Sequence, residues 1–545
     1  MSLCFNWKQI SGLMTLLAAG LLQSGWAQEV PDPGQALDQL EREQRFYDSP
    51  DEREDEDPGL DSIPEGPAQA LPEDGDEAFW LNGVRFDESV FIPAETLEAL
   101  VEPYIGETVT FADINDLVEA VNARYRERGQ VAARAIVPAQ RIEAGILRIR
   151  LVEATLEAIE LEGRQYTSED FLTDAVGIDP GETLDVPVLR DRISTLNRLT
   201  PLRIGARILA GDTFGASKLF LGVEEPRRFT GQVFLDNNGA SSTGEGQGGV
   251  YTAWNGPLRR ADQLTGYIVG SEGARSASVG YSLPINDSGG VLSTDVAVAD
   301  TEITDGGFAN LDIVGESTQV SLEYLAPGWQ SDTTSVDWLA RVAGVDSRTD
   351  LLNRPIADTS IRSVALGLEG RGSALGGRWF LRQELVRARS ENVLDEKQDY
   401  LYWPGRGSWS RAVPLGATAR INGSWQYSAD ERFASPSQFQ IGGVGTVRGY
   451  ENGIQSAARG VALSGELHWQ MDWIDDVFLF SDVGHVDGIS PDSQTITSIG
   501  SGGRWRYGDL RFDFSAASAL DDVVPNQDDY QVHLRLSYLF GTSPD

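Results

Sequence analysis

The C-terminal segment Tyr530–Phe540 reads YQVHLRLSYLF and alternates between apolar and polar side chains. Apolar or aromatic residues occupy every second position from Val532 to Phe540, and a histidine, an arginine, a serine and, last, Leu539 lie between them. Because successive side chains of a strand point to opposite faces, the segment is predicted to be a β-strand with one apolar face. Strands of membrane barrels have this pattern, with the apolar face toward lipid and the polar face toward the lumen.

The same alternation of apolar and polar residues extends back to about residue 226. The clearest alternating stretches are Gly231–Leu235, Leu264–Val269, Ser276–Leu283, Val291–Val298, Gln319–Leu325, Ile361–Leu368, Trp379–Leu385, Val461–Trp469 and Leu510–Phe514. Residues 226–540 number 315, and a spanning strand with its connection takes roughly 20 residues, which predicts about 16 strands.

A soluble sandwich or propeller would also have strands of alternating polarity. A membrane barrel is favoured by aromatic residues near predicted strand ends: Tyr324, Trp329, Trp403, Trp409, Trp469 and Trp473.

The first 27 residues are typical of a secretory signal peptide. Lys8 precedes an apolar run, Ile10–Leu22, and small residues stand at the −3 and −1 positions of a cut after Ala27. A membrane-spanning helix would need roughly 20 apolar residues, more than this run offers. The only cysteine, Cys4, precedes the cut, so the mature chain is predicted to lack thiol and disulfide chemistry.

Residues 28–77 are predicted to be an acidic linker. Glu29–Glu77 contains 18 acidic and 3 basic residues with several prolines, a composition that does not bury enough apolar surface to fold. Residues 35–47 are the exception, because Leu37, Leu40 and Phe46 lie on one side of a short amphipathic helix. This helix either docks elsewhere on the protein or forms transiently in a disordered tail.

Residues 78–152 and 153–225 are predicted to be two small α/β domains with the same order of strand, helix, helix, strand and strand. In the first, a helix starts near Asp113 and Gly129 stands where a C-terminal cap is expected. In the second, helices at Ser168–Val176 and Val188–Leu199 precede strands at Arg203–Leu209 and Leu219–Val223. A period of about 70 residues indicates a tandem repeat, although two unrelated α+β patterns would look alike.

Composition excludes several functions. With 44 basic and 83 acidic residues, the net charge of −39 argues against nucleic-acid binding. His468, His485 and His533 are isolated and lack metal-ligand spacing, and no lysine follows Gly443-Val444-Gly445 as a nucleotide loop requires. No cofactor or metal is predicted. A barrel-lumen protease or lipase is conceivable, but no serine, histidine and acid set stands out, so no enzyme is predicted.

Two βααββ domains before a barrel of about 16 strands resemble the two-partner secretion transporters, the TpsB family, which exports haemolysins and filamentous haemagglutinins and belongs to the superfamily of Bam-type insertases. The resemblance implies that the domains are periplasmic POTRA domains which bind a secreted exoprotein, and that residues 35–47 plug a barrel in the outer membrane of a Gram-negative bacterium. It also implies contact with lipids and lipopolysaccharide, and assembly by the barrel insertion machinery. Tyr538 and Phe540 resemble the terminal signal that this machinery reads, although residues 541–545 follow.

Phe439–Gly453, FQIGGVGTVRGYENG, resembles the signature loop of the family. In the family this loop folds back into the lumen, and an arginine at its tip meets an aspartate of the barrel wall. The tip here is Val447-Arg448-Gly449-Tyr450, and the wall pattern F-x-D-x-G matches Phe480, Asp482 and Gly484. The resemblance therefore implies an Arg448–Asp482 pair, for which the planar fork of arginine is suited. Gly442, Gly443 and Gly449 permit the tight backbone of such a loop. Alternatively, Arg448 only braces the loop and takes no part in transport.

The exported partner is expected to add a strand to an exposed sheet edge of the second domain. The candidate surface consists of the strand at 203–209 and the neighbouring helix, with Val188, Leu189, Arg203, Ile204, Ala206 and Ile208. Two alternatives stay open: an insertase for other barrels, whose relatives generally carry three to five POTRA domains, and a passive channel. The cargo is left open among a haemolysin, an adhesin and a surface enzyme.

Overall fold

The computed structural model describes residues 32–47, 60–61, 78–286, 288–394, 396–471, 473–489, 492–524 and 527–541. The predicted signal peptide with its cut after Ala27, most of the acidic linker and residues 542–545 lie outside these ranges. Within them, no helix is long and apolar enough to cross a membrane.

The described chain begins with a helix and continues with two small α/β domains. The first elements are α1 (Pro33–Tyr47) and β1 (Leu60–Asp61). The first domain contains β2 (Phe79–Trp80), β3 (Gly83–Phe86), α2 (Ala94–Val101), β4 (Thr108–Val109), α3 (Phe111–Glu127), β5 (Ala133–Ile136) and β6 (Ile146–Glu153). The second contains β7 (Thr155–Glu162), α4 (Glu169–Val176), α5 (Val186–Leu199), β8 (Arg203–Ala210) and β9 (Ala216–Glu224).

Both domains have the same sheet topology. In the first, β6 pairs in parallel with β3 and antiparallel with β5. In the second, β9 pairs in parallel with β7 and antiparallel with β8. Each domain buries the apolar faces of its helices against its sheet in a separate core. The predicted order of strand, helix, helix, strand and strand is therefore confirmed.

Local side-chain chemistry sets the helix ends in these domains. Thr110 and Asp113 form a capping box at the start of α3, in which each side chain bonds the backbone N–H of the other. The Ser168 hydroxyl accepts from the N–H of Phe171 and caps α4, and Gly177 in the left-handed conformation ends the same helix.

Sixteen antiparallel strands close into a barrel, which confirms the predicted fold. They are β10 (Phe229–Asp236), β11 (Gln247–Asn255), β12 (Gln263–Gly270), β13 (Ala274–Pro284), β14 (Val291–Glu302), β15 (Ile313–Gln330), β16 (Thr334–Leu351), β17 (Arg354–Ala374), β18 (Gly377–Asn392), β19 (Lys397–Val413), β20 (Ala417–Ser428), β23 (Arg459–Met471), β24 (Ile474–Asp487), β25 (Ser493–Tyr507), β26 (Leu510–Ala519) and β27 (Tyr530–Phe540). Between β20 and β23 lie two short strands that pair with each other, β21 (Phe439–Ile441) and β22 (Gln455–Ala457).

The last strand closes the barrel by pairing with the first. Tyr538 lies opposite Val233 and Phe540 opposite Gly231. Val532, Leu534, Leu536 and Tyr538 are 42–49% exposed, whereas His533, Arg535 and Ser537 are at most 7% exposed. The first group faces outward and the second faces the lumen, as expected for a strand between lipid and a polar interior.

The second α/β domain docks against turns at one end of the barrel, called the domain end below. Arg198 of α5 donates from Nε and Nη2 to the two carboxylate oxygens of Asp337 at 2.9 and 2.8 Å, and from Nη1 to Gln330 at 2.8 Å. The N–H of Ser168 donates to the carbonyl of Arg259 in the β11–β12 turn at 2.8 Å. Because strands alternate in direction, the connection between β20 and β23 lies at the opposite end, called the far end.

Candidate functional site

The connection between β20 and β23 turns back from the far end into the lumen. Its paired strands β21 and β22 pack against the inner faces of β23 and β24. At its tip, Val447, Arg448 and Tyr450 are 0%, 2% and 1% exposed. The connection is therefore a re-entrant loop with a fully buried tip.

The structure brings Arg448 and Asp482 together. Nε of Arg448 donates to Oδ2 of Asp482 at 2.8 Å, and Nη2 donates to Oδ1 at 2.8 Å. The backbone N–H of Arg448 also donates to Oδ2 at 3.1 Å. Because two donors of one planar group meet both oxygens, the contact fixes the orientation of the loop tip as well as its position.

Two wall residues that the sequence did not single out also bind the loop cation. Nη2 of Arg448 lies 2.6 Å from Oε1 of Glu466 and donates to the Ser464 hydroxyl at 2.9 Å. The guanidinium carbon lies 3.4 Å from the ring centre of Phe480. Ser464, Glu466 and His468 lie at alternate positions along β23, so the sequence could have predicted that Glu466 faces the lumen. Its distance to Arg448 could not be predicted, because that distance depends on how far the loop extends into the lumen.

Gly484 makes room for the loop on the wall. A Cβ at this position would lie 2.7 Å from Cγ2 of Val447 and 3.1 Å from the side chain of Ile441. The last glycine of the F-x-D-x-G pattern therefore allows the loop to pack directly on the backbone of β24. Within the loop, Gly442, Gly443 and Gly449 have φ values of +104°, +88° and +94°, which favour glycine.

Tyr450 ties the loop tip to the neighbouring wall. Its hydroxyl donates to the carbonyl of Thr497 on β25 at 2.8 Å and accepts from the N–H of Asp521 at 3.0 Å. The tip is thus bonded to β24 through Arg448 and to β25 through Tyr450.

Helix α1 lies inside the lumen. Asp32, just before the helix, accepts from the hydroxyl of Ser347 on β16 at 2.9 Å. At the other end, the Tyr47 hydroxyl accepts from the amide of Asn238 at 2.8 Å, and Arg535 of β27 stacks over the Tyr47 ring at 4.2 Å. The helix therefore crosses the lumen from the β15–β16 side to the junction of β10 and β27.

The helix also contacts the re-entrant loop. Arg42 donates to the carbonyl and to the side-chain amide oxygen of Gln440, at 3.3 and 2.5 Å. Glu43 accepts from the amide of Asn452, which also donates to the carbonyl of Asn238. Asn238 directly follows wall strand β10, and it contacts Tyr47 of the helix and Asn452 of the loop, so it connects the helix, the loop and the wall. The sequence reasoning missed this residue, because nothing local distinguishes it from other polar residues beside a turn.

The candidate partner-binding residues divide into two groups. The side chains of Leu189, Ile204, Ala206 and Ile208 belong to the core of the second domain, so they do not offer side-chain contacts to a partner. Val188 is exposed and Arg203 is partly exposed. The backbone edge of β8 is already paired, because β1 adds to it in parallel with Leu60 opposite Ala206.

A sixteen-stranded barrel with a re-entrant loop, a lumen helix and tandem α/β domains defines a class of outer-membrane transporters. This chain belongs to the family described as haemolysin secretion/activation protein ShlB/FhaC/HecB, whose profile matches residues 215–505. A second profile, that of the ShlB-type POTRA domain, matches residues 79–154.

Individual relatives agree with this assignment. The outer membrane transporter CdiB of Dickeya dadantii is 25% identical over 475 residues, which cover 81% of this chain and 82% of that protein. The heme/hemopexin transporter protein HuxB of Haemophilus influenzae is 22% identical over 487 residues, covering 82% and 85%. The structures of CdiB from Escherichia coli and Acinetobacter baumannii share the fold, with TM-scores of 0.76 and 0.69, identities of 21% and 16%, and coverage of 94% of this chain and 100% of theirs.

The protein is therefore an outer-membrane transporter of the two-partner secretion family that exports a partner protein. Its POTRA domains lie in the periplasm, so the domain end of the barrel is periplasmic and the far end faces outward. These comparisons favour an exporter over an insertase.

Proposed function

We propose that the protein secretes one dedicated exoprotein, of haemolysin or adhesin type, through the lumen of its barrel. The observation that carries the proposal is that the lumen is occupied by two parts of the same chain, α1 and the re-entrant loop, which are held by non-covalent contacts. An exoprotein would pass through a lumen occupied in this way only after those contacts are broken. Transport then consists of displacing α1 and the loop from the lumen, and no covalent bond is made or broken.

Release of the helix and of the loop is proposed to be linked. Arg42 connects the helix to Gln440 of the loop, and Asn452 of the loop reaches both Glu43 and the wall at Asn238. Loss of either element removes hydrogen-bond partners from the other. A partner that displaces the helix would therefore also weaken the hold on the loop.

Capture in the periplasm is proposed to occur at β8. Strand addition supplies affinity through backbone hydrogen bonds, and among the residues that the structure describes, the outer edge of β8 is paired with the two residues of β1 alone. An incoming extended segment would replace β1. Because β1 belongs to the linker that follows α1, this exchange would act on the chain segment that leads to the plug.

Arg448 is proposed to take part in transport by holding the loop at rest, through Asp482 and Glu466. Tyr538 and Phe540 are proposed to serve as the terminal signal read by the barrel-assembly machinery, and the outward apolar side chains to contact lipid and lipopolysaccharide. The free energy for export would come from folding of the partner outside the cell.

The test is a proteomic comparison of culture medium, cell surface and outer membrane between wild type, a strain deleted for this gene and the complemented strain. Loss of one large secreted protein, with other barrel proteins unchanged, is the expected result. A general fall in barrel proteins would instead indicate an insertase, and no change in any fraction would indicate a passive channel.

A further inference from the structure

A buried histidine lies on the lumen wall beside the loop site. His468 of β23 is 6% exposed. Its Nδ1 lies 2.7 Å from Oδ2 of Asp476, its Nε2 lies 2.9 Å from Oε2 of Glu466, and its ring stacks on Phe478 with centroids 5.0 Å apart. The ring is therefore fixed at both nitrogens and on one face.

The two carboxylates determine which form of the ring fits. An ionised carboxylate only accepts hydrogen bonds, and a neutral imidazole carries one N–H, whereas the imidazolium carries two. With a neutral ring, one of the two contacts would bring a nitrogen lone pair against a carboxylate oxygen. The geometry is therefore complementary to the imidazolium.

Glu466 connects this histidine to the loop. Its Oε2 faces His468, while its Oε1 faces Nη2 of Arg448 at 2.6 Å. Asp482, Arg448, Glu466, His468 and Asp476 thus form a row of alternating charge, called the charge row below. It runs from the loop tip toward the periplasmic end of β24, where Asp476 lies two residues after the strand begins.

We propose that His468 is a positioning residue for the re-entrant loop. As the imidazolium, it holds Glu466 in the orientation that binds Arg448. When the ring loses its proton, Glu466 and Asp476 no longer share a cation, and Glu466 turns away. Arg448 then loses one of its two carboxylate partners and keeps its contacts with Asp482, Ser464 and Phe480. The loop is then released more often as the pH rises. This role rests on the proposed function only in that the loop closes the export path.

Other charged groups lie around the charge row. Arg420 of β20 lies directly opposite Glu466, and Arg504 of β25 lies directly opposite Asp476. Asp513 of β26 accepts from Arg504 at 3.0 Å. Histidine is the side chain whose ordinary pKa places its change of charge between about pH 5 and pH 8, whereas arginine, aspartate and glutamate have ordinary pKa values outside this range.

The experiment measures the frequency of channel openings of the full-length protein in planar lipid bilayers, from about pH 5.5 to about pH 8.5, a range that brackets the titration of histidine. Wild type is expected to open more often as the pH rises. His468→Gln should open often at every pH and lose this dependence. His468→Arg, which keeps the charge and two donors, should stay closed at every pH. His485→Gln is the matched control, because His485 is on the next strand and bonds only Thr495 among the described residues.

Asp476→Asn supplies a second test that does not depend on fitting a larger side chain. The asparagine has nearly the same shape but withdraws one of the two charges that stabilise the imidazolium, so the midpoint of the pH profile should move to lower pH. A flat wild-type profile, an unchanged profile in His468→Gln, or an unmoved midpoint in Asp476→Asn would overturn the proposal. No secreted partner is needed, so failure of the export function would leave this result unaffected.

Discussion

Arg198 of the second POTRA domain and Asp337 of the barrel form a two-pronged ion pair whose side chains are only 8% and 1% exposed. Removing one member of such a pair leaves a buried charge without its partner, which costs about 3–5 kcal/mol. We therefore predict that Arg198→Leu loosens the domain from the barrel. Limited proteolysis at the β15–β16 turn should show faster cleavage than in wild type.

Arg190→Leu is the control for this prediction, because Arg190 is on the same helix but is exposed. Arg198→Lys should fall between the two, since lysine keeps the charge without the fork. Equal cleavage rates in wild type and Arg198→Leu would mean that the ion pair does not hold the domain.

The second prediction concerns the space beneath the loop. Gly484→Ala places a methyl group 2.7 Å from Val447 Cγ2, and overpacking of this kind typically costs about 1–3 kcal/mol. The loop should move away from the wall and expose the Arg448–Gly449 bond to trypsin. Gly465→Ala is the matched control on the neighbouring strand, where a Cβ meets no atom within 4 Å. Similar trypsin cleavage in both variants would contradict the predicted close packing.

The third prediction concerns the fork of Arg448. Arg448→Lys keeps the charge but replaces contacts to Asp482, Glu466 and Ser464 with those of a single ammonium group. Export should fall and channel openings should rise, in the same direction as in Asp482→Asn. If Arg448→Lys exports its partner as well as wild type, the loop needs only a positive charge and not the planar geometry.

The fourth prediction concerns pH and the first POTRA domain. Hydrogen bonds from the backbone and side chain of Thr110 lower the pKa of Asp113. The stabilisation is therefore present above the unfolded-state pKa of about 3.9 and is lost as the pH falls through the lower folded-state pKa. Asp113→Asn should reduce hydrogen-exchange protection of α3 relative to wild type at neutral pH, and the difference should shrink in acid. A difference that stays constant with pH would show that the carboxylate charge is not involved.

Strand alternation was sufficient to predict the barrel and its approximate strand number. The stretches predicted from Gly231–Leu235 to Leu510–Phe514 all lie within observed strands, because each has one face in the lumen and one outside. Strands such as β19 were not predicted, since WPGRGSWS at Trp403–Ser410 breaks the alternation with Pro404 and two glycines. Pairing with both neighbours forms this strand despite its sequence.

The site was predictable only where a motif fixed it. Arg448 and Asp482 were paired by resemblance, and the structure places them in contact. His468 lies on a wall strand, as its reading as a barrel-wall residue implied, but its position between two carboxylates was not predicted. Asp476 is eight positions further along the chain, on the neighbouring strand, so its proximity depends on the register of β23 and β24. A sequence pattern along one strand does not contain that register.

On the mechanism proposed above, the partner passes through the lumen after α1 leaves it. Gly34→Cys with Pro436→Cys tests this claim, because a Cβ at position 34 lies 2.8 Å from Cβ of Pro436, and a small adjustment reaches the separation of about 3.5–4.5 Å in disulfides. The measurement is secretion of the partner identified by the proteomic comparison, with each single-cysteine variant as control. We predict that secretion stops while the disulfide joins the helix to the loop and resumes after reduction. Secretion that continues with the disulfide intact would contradict the claim.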